Sequence, residues 1–203
     1  MAAEPIAETH RRGPRPRTNA REIASVGLRL FAEQGFQETT IDQIAAAAGV
    51  SRTTFFRYFA SKSDVLWTEF DAEADSLRAH LASAPDSVPS MDAVRQAVLA
   101  VYARPGYIPE LRSRCGFISS TPELAASAAA HYDGWVRAIS DFTARRTGAP
   151  ADAIVPAAAG RATLAVCTAA YEKWSRDPGA DFIAYLDEAL RALASGFADP
   201  ARL

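Results

Sequence analysis

Apolar residues recur at helical spacing through most of the chain, and no stretch shows the period-two alternation of a half-buried strand. The first stripe is Ile23, Val26, Leu30 and Phe31. It predicts a helix from about Asn19 to Gln34, capped by Thr18 or Asn19 and ended at Gly35. Ile41, Ile44, Ala45 and Ala48 form a shorter stripe closed by Gly49, a residue that tolerates the positive φ of a helix end. Ser51 can cap the helix that follows, and Phe55 and Phe59 face the core from it. Ser61 and Asp64 have capping-box spacing ahead of a long helix, Lys62 to about Ala82, striped by Val65, Leu66, Phe70, Ala74, Leu77 and Leu81.

APDSVP, Ala84–Pro89, breaks the pattern. A helix from Ser90 to Tyr102 or Arg104 follows, then a turn at RPGYIP, Arg104–Pro109, and a short irregular helix over Glu110–Phe117. Thr121 as cap and Pro122 at the first position open a helix that reaches about Thr147 and closes at Gly148. Asp152 is placed to cap an Ala-rich helix ending near Arg176. A last helix spans Ala180–Ser195, with Gly196 after it. The pattern predicts an all-α fold of about nine helices.

With 203 residues, 49% of them hydrophobic, the chain can bury a sizeable core in one or two domains. No uninterrupted apolar run reaches membrane-spanning length, because Arg161 breaks the best candidate, Ala157–Tyr171. The first 17 residues lack the apolar region of a secretory signal. Cys115 and Cys167 have neither metal-site spacing nor a disulfide framework. The expectation is a cytoplasmic protein with reduced thiols, no metal, no cofactor and no membrane partner. Three histidines, no Gly-rich phosphate loop and no GxSxG elbow give no catalytic constellation. The chain reads as a non-enzyme, with a small helical enzyme as the alternative.

Net charge is −2, but its distribution is uneven. Arg11–Lys62 carries nine bases against four acids, and Ser63 onward carries thirteen bases against eighteen acids. One end is thus suited to a polyanion. Residues 1–17, with RRGPRPR, read as a disordered basic arm. Within the basic half, two short helices joined by a Gly-containing turn form a helix-turn-helix, whose second helix enters the DNA major groove. Ser51, Arg52, Thr53 and Thr54 stand at the start of that helix, with Arg57 also outward. Arg52 can bond guanine bidentately, and Thr53 or Thr54 can meet a base edge or a thymine methyl. Thr40, Tyr58 and Lys62 are better placed for phosphates.

The run T-IDQ-IAAAAGVS-RTTFFRYF-ASK-SDVL, with LFAEQGFQETT before it, resembles the TetR family of bacterial transcriptional regulators over roughly Ala20–Leu66. The resemblance implies an all-α homodimer, with a helix-turn-helix domain over 18–62 and a ligand-binding and dimerisation domain over 63–203. It implies a repressor released from a palindromic double-stranded DNA operator by a small-molecule effector, or an activator of the same fold. Phe56 departs from the family's usual Tyr, which leaves more of the phosphate anchoring to Tyr58 and Lys62. RTTFFRYFASKSDVLWTEFD, AHYDGWVRAISDFTARRTG and AAYEKWSRDPGAD are similar to regulators associated with mycofactocin gene clusters, which implies a long-chain acyl-CoA effector. In such a fold the ligand lies between the fourth helix and those after it. That makes Trp67, Phe70, Tyr102, Leu111, Phe117, His131, Trp135, Cys167 and Tyr171 candidate walls, with Arg112 and Arg114 at the mouth. The last two helices would form the dimer seam through Ala157, Leu164, Ala165, Ala169, Phe182, Tyr185, Leu186, Ala189, Leu190 and Leu193. Trp174 would face the same interface.

Overall fold

The computed structural model describes residues 19–103, 107–177 and 179–196, and among these every regular element is a helix. In chain order they are α1 (Ala20–Gln34), α2 (Ile41–Ala47), α3 (Arg52–Tyr58), α4 (Asp64–Ala82), α5 (Ser90–Tyr102), α6 (Tyr107–Ser120), α7 (Pro122–Thr147), α8 (Ile154–Ser175) and α9 (Phe182–Ala194). The basic arm 1–17 and Thr18 lie outside the described residues.

Local chemistry explains the early boundaries. Asn19 accepts the backbone N–H of Glu22 to open α1, and Gly35 ends it at φ 91°. Thr40 and Gln43 form a reciprocal capping box on α2. Ser51 caps α3 by accepting from Thr54. Ahead of α4, both the Ser61 N–H and its hydroxyl donate to the Asp64 carboxylate at 2.9 Å. The helix therefore starts at Asp64 rather than at Lys62.

Three further helix starts and one cap differ from the sequence reading. Tyr107–Pro109, expected in a turn, belong to α6. A proline in a first helical turn forfeits only an N–H that has no intrahelical partner there. The rest of that turn, Arg104–Gly106, lies outside the described residues. Thr121 occupies the cap position of α7 without a side-chain bond. α8 starts behind Ala153, which leaves Asp152 outside the cap. Asp181, not singled out beforehand, caps α9 by accepting from Ile183 and Ala184.

Two apolar cores result. The first joins α1, α2 and α3 through Ile23, Phe31, Ile44, Phe55 and Phe59, and draws in Val65 and Leu66 of α4 and Leu124 of α7. The second gathers α4, α5 and α6 through α9 around Leu77, Val98, Trp135, Ile139, Trp174 and Leu186. Trp174 is buried there and donates from Nε1 to the Ala180 carbonyl at 3.1 Å, so it faces no partner. Phe182, Leu186 and Leu190, expected at a dimer seam, are likewise buried in the chain's own core. α8, though interrupted by Arg161, is long and apolar enough to cross a membrane by length and composition alone, as the core helix of a water-exposed fold also can be. It packs along α7 and α9. Gly160 permits that approach, since a Cβ there would stand 2.6 Å from the Val136 carbonyl.

Candidate functional site

The first site is the outer face of α2 and α3. The turn between them passes through Gly49 at φ 67°. Phe55 and Phe59 anchor α3 inward, which leaves Arg52, Thr53, Phe56, Arg57 and Tyr58 exposed and Thr54 half-buried beside Ser51. Arg52 pairs with Asp42 across the motif at 2.7 Å, and its guanidinium lies 5.2 Å over the Phe56 ring. Phe56 is 43% exposed, so the ring is a platform rather than core. Arg57 stacks over Tyr58 at 4.9 Å and donates to its hydroxyl. The Arg52–Asp42 pair is solvent-exposed and worth ~0–1 kcal/mol, so DNA can displace it cheaply.

Lys62 needs correcting. Its ammonium donates to the carbonyls of Phe36 at 2.5 Å, Thr39 at 2.9 Å and Gln37 at 3.3 Å, and it lies over the Phe36 ring. An ammonium has three donors, and all three meet the loop between α1 and α2. Burial lowers the Lys62 pKa, with Glu38 opposing the shift. Lys62 is a clamp between that loop and α4, not a free phosphate anchor. Thr39, fully buried, supports the same loop by donating to Gly35.

The second site is a cavity of about 270 Å³ between α4, α6, α7 and α8. Of the residues expected there, Phe70, Tyr102, Leu111, Trp135, Cys167 and Tyr171 line it. Four others do not. Trp67 stacks on His131 at 4.3 Å, away from the cavity, with the His131 ring also near Asp71. Arg112 lies 3.9 Å over the Trp174 ring on the opposite side of α6. Phe117 packs against the first core, 6.1 Å from the Phe31 ring.

Arg114, expected at the mouth, is instead buried in the wall, with Glu73, Cys115, Tyr132 and Phe182 among its other residues. Glu73 and Arg114 are 0% and 3% exposed and form an ion pair from α4 to α6. Arg114 also donates to the Tyr107 hydroxyl at 3.0 Å, and the Tyr102 hydroxyl donates to Glu73 at 3.4 Å. Burial works against the Arg114 charge, but Glu73 beside it outweighs burial and the guanidinium stays charged. Burial pushes the Cys115 thiol up to about 11 and Cys167 up to about 12. Both thiols are therefore neutral near pH 7. Glu73 was legible in principle, as an acid sitting inside the apolar stripe Phe70, Ala74, Leu77. Tyr132, Leu164, Thr168 and Glu172 line both the cavity and a surface groove along α7 and α8.

Among the described residues no His, Cys, Asp and Glu cluster could hold a metal. The arrangement is that of a binding protein: an exposed polar helix face at one end and an aromatic cavity at the other.

Residues 23–66 match the bacterial regulatory proteins of the tetR family, and residues 88–198 match the MftR C-terminal domain. The chain is 35% identical, over 91% of its own length and 93% of the relative's, to MftR of Mycobacterium tuberculosis, a protein assigned as the transcriptional regulator of mycofactocin biosynthesis. It is 29% identical to the HTH-type regulator EthR of Mycolicibacterium smegmatis, over 72% of this chain and 70% of that one. In fold it is similar to Thermus thermophilus FadR, solved with lauroyl-CoA, at a TM-score of 0.58 and 24% identity over 89% of this chain and 96% of that one. It is also similar to SmeT, the repressor of a Stenotrophomonas maltophilia efflux pump, at a TM-score of 0.63 and 19% identity over 88% and 90%. The all-α fold, the helix-turn-helix face and the full-length match to MftR together establish that the chain belongs to the TetR family of transcriptional regulators, with an MftR-type C-terminal domain.

Proposed function

We propose that this chain is a homodimeric repressor of the bacterial cytoplasm, released from a palindromic operator when a small hydrophobic or acyl-CoA-like molecule enters the cavity. The observation that carries the reading is the position of α4. Its first residues, Val65 and Leu66, belong to the DNA-binding core, and Phe70 and Glu73 of the same helix line the cavity. A ligand that shifts α4 therefore shifts the domain bearing α3.

In this reading Arg52, Thr53 and Thr54 meet base edges, while Thr40, Ser51, Arg57 and Tyr58 hold the phosphates. Two copies related by a two-fold axis present two α3 helices about one groove turn apart, ~34 Å. The seam that supports this is the outer face of α8, where Ile154 is 81% exposed and Val155 60%. Ala158, Ala165 and Ala169 continue the face as exposed small residues. Small side chains allow close helix approach across a two-fold. Acyl-CoA is the first effector class to test, since the fold neighbour FadR was solved with lauroyl-CoA.

The test is a gel shift with DNA from beside the gene, followed by titration of a series of acyl-CoA thioesters. A discrete complex that the thioesters dissolve is expected. Binding that only scales with DNA length would refute the operator. Retention of the complex at saturating concentrations of a broad apolar panel would refute the effector.

A further inference from the structure

Among the described residues few large apolar side chains are exposed, and two of them, Phe56 and Tyr58, stand on α3. Each lies under an arginine, Phe56 under Arg52 and Tyr58 under Arg57. Tyr58 carries a hydroxyl that accepts from Arg57, whereas Phe56 has no polar atom to offer. Phe56 follows Arg52 by four positions and Thr53 by three, so the three exposed side chains present one surface. The ring is held in place from behind. It meets the fully buried Phe55 at 5.7 Å with the two planes at 89°.

On a surface that meets DNA, a phenyl ring has few uses. It has no donor for a phosphate oxygen, and its negative face repels an anion. Reaching the face of a base requires unstacking the duplex. What the major groove offers an apolar side chain is the C5 methyl of thymine. Arg52 fixes which thymine. It bonds Asp42 through Nη1, and its guanidinium has further N–H donors for the O6 and N7 of a guanine. Successive base pairs rise by ~3.4 Å. A ring centred 5.2 Å from that guanidinium therefore reaches the neighbouring pair.

Resting on the reading of α3 as the recognition helix, we infer that Phe56 is a specificity-determining residue, which reads the methyl group of a thymine in the base pair next to the guanine held by Arg52. The two side chains act as one reader, with the arginine on the guanine edge and the ring over the methyl beside it. Such a contact senses the methyl and not the hydrogen-bonding edge. It therefore also favours 5-methylcytosine over cytosine at the same position.

The test begins with selection by the full chain from a pool of randomised duplexes. The enriched half-site should hold a guanine with a thymine in an adjacent pair, on either strand. Replacing that thymine with deoxyuridine removes only the methyl, and should weaken binding about fourfold in one half-site and about 15-fold in both, the value of one buried methyl-sized group each time. Cytosine and 5-methylcytosine there should differ by the same factor. Phe56→Ala should bind the thymine and deoxyuridine duplexes equally, and Phe56→Leu, which keeps an apolar tip, should retain part of the difference. The comparison of duplexes on the unaltered chain needs no variant, so it decides the matter even where Phe56→Ala folds poorly. A half-site without thymine beside guanine, deoxyuridine without effect, or the same loss in Phe56→Ala as in the unaltered chain overturns the Phe56 assignment and leaves the operator reading standing. Selection that enriches no sequence overturns both.

Discussion

Replacing Lys62 with methionine separates two roles that the same residue can be given. As a phosphate anchor, Lys62 would contribute one ionic contact to DNA and little to the fold. As the clamp seen here, it holds the carbonyls of Phe36, Gln37 and Thr39 against the start of α4. Hydrogen bonds from a charged donor contribute ~1.5–3 kcal/mol each. The site is only half-buried, however, so the freed carbonyls regain water and the sum is much discounted. A net loss of about 2 kcal/mol is reasonable, which in a chain of this size lowers Tm by about 4–8 °C. Methionine keeps an unbranched side chain of similar length, so the change removes the ammonium, its three carbonyl bonds and its contact with the Phe36 ring. The assay pairs a thermal melt with the salt dependence of DNA binding. Losing a phosphate contact reduces the log–log salt slope by about 0.9, whereas losing a clamp leaves it unchanged. The expected result is a lower Tm, uniformly weaker DNA binding and an unchanged slope. Arg57→Ala, from the exposed face of α3, is the converse control, with its Tm held and its slope reduced by about 0.9. An unchanged Tm for Lys62→Met together with a smaller slope would refute the clamp.

Two glycines in helix interiors should respond oppositely to alanine. Gly116→Ala meets nothing within 4 Å and should raise stability by about 1 kcal/mol, whereas Gly160→Ala drives a Cβ to 2.6 Å from the Val136 carbonyl and should lower it despite the same gain in propensity. Chemical denaturation of both variants checks the pair, and the same sign for both would refute the packing argument. Asp42→Asn releases Arg52 and removes a negative charge from the DNA-facing surface. Operator affinity should rise up to about fivefold, and an unchanged or weaker affinity would mean that Arg52 does not meet DNA. With the Cys115 thiol raised to about 11, only ~0.1% is thiolate at pH 8. Iodoacetamide should therefore label folded protein far more slowly than denatured protein, and Cys167, raised to about 12, more slowly still. Equal labelling rates in the two states would show that the thiols are not buried as described.

The helix-turn-helix was legible because its determinants are local. Thr40 with Gln43, Ser51 with Thr54, and Gly49 at positive φ all act within four residues. Lys62 was misplaced because its partners lie 23 to 26 residues upstream, and nothing within its own segment announces them. The cavity was half legible. Phe70, Tyr102, Trp135 and Tyr171 line it as expected, whereas Trp67 and His131, on the same helices as Phe70 and Trp135, stack on each other away from it. On α6 the run RPGYIP hid where the helix begins, so its phase was open. Once α6 starts at Tyr107, Leu111, Arg114, Cys115 and Ile118 share the cavity face. Two residues of α-helix turn a side chain by about 200°, which sends Arg112 outward to Trp174 and Arg114 inward to Glu73. Two arginines only two positions apart thus have unrelated environments. At the helix starts Asp181 caps α9 through a local bond that its sequence position allowed, while Asp152 stands one residue ahead of the α8 cap position.

The Glu73–Arg114 pair bears on how the two ends of the molecule communicate. A buried ion pair gains little over apolar residues of the same volume, because desolvation of both charges offsets their attraction. Its effect is positional: it fixes the register of α4 against α6 at the cavity wall. Both helices continue into the DNA-binding core, α4 through Val65 and Leu66, and α6 through Phe117, three residues beyond Arg114, against Phe31. α7 joins them there with Leu124. Gly27 of α1 packs so tightly on α4 that a Cβ would come within 2.7 Å of Val65. Close-packed contacts of this kind do not absorb a displacement of the helices that make them. A ligand that separated the pair would free α4 and α6 from one another at the cavity wall. A displacement of either helix would reach the first core directly, because Val65 and Leu66 of α4 and Phe117 of α6 are themselves packed in it.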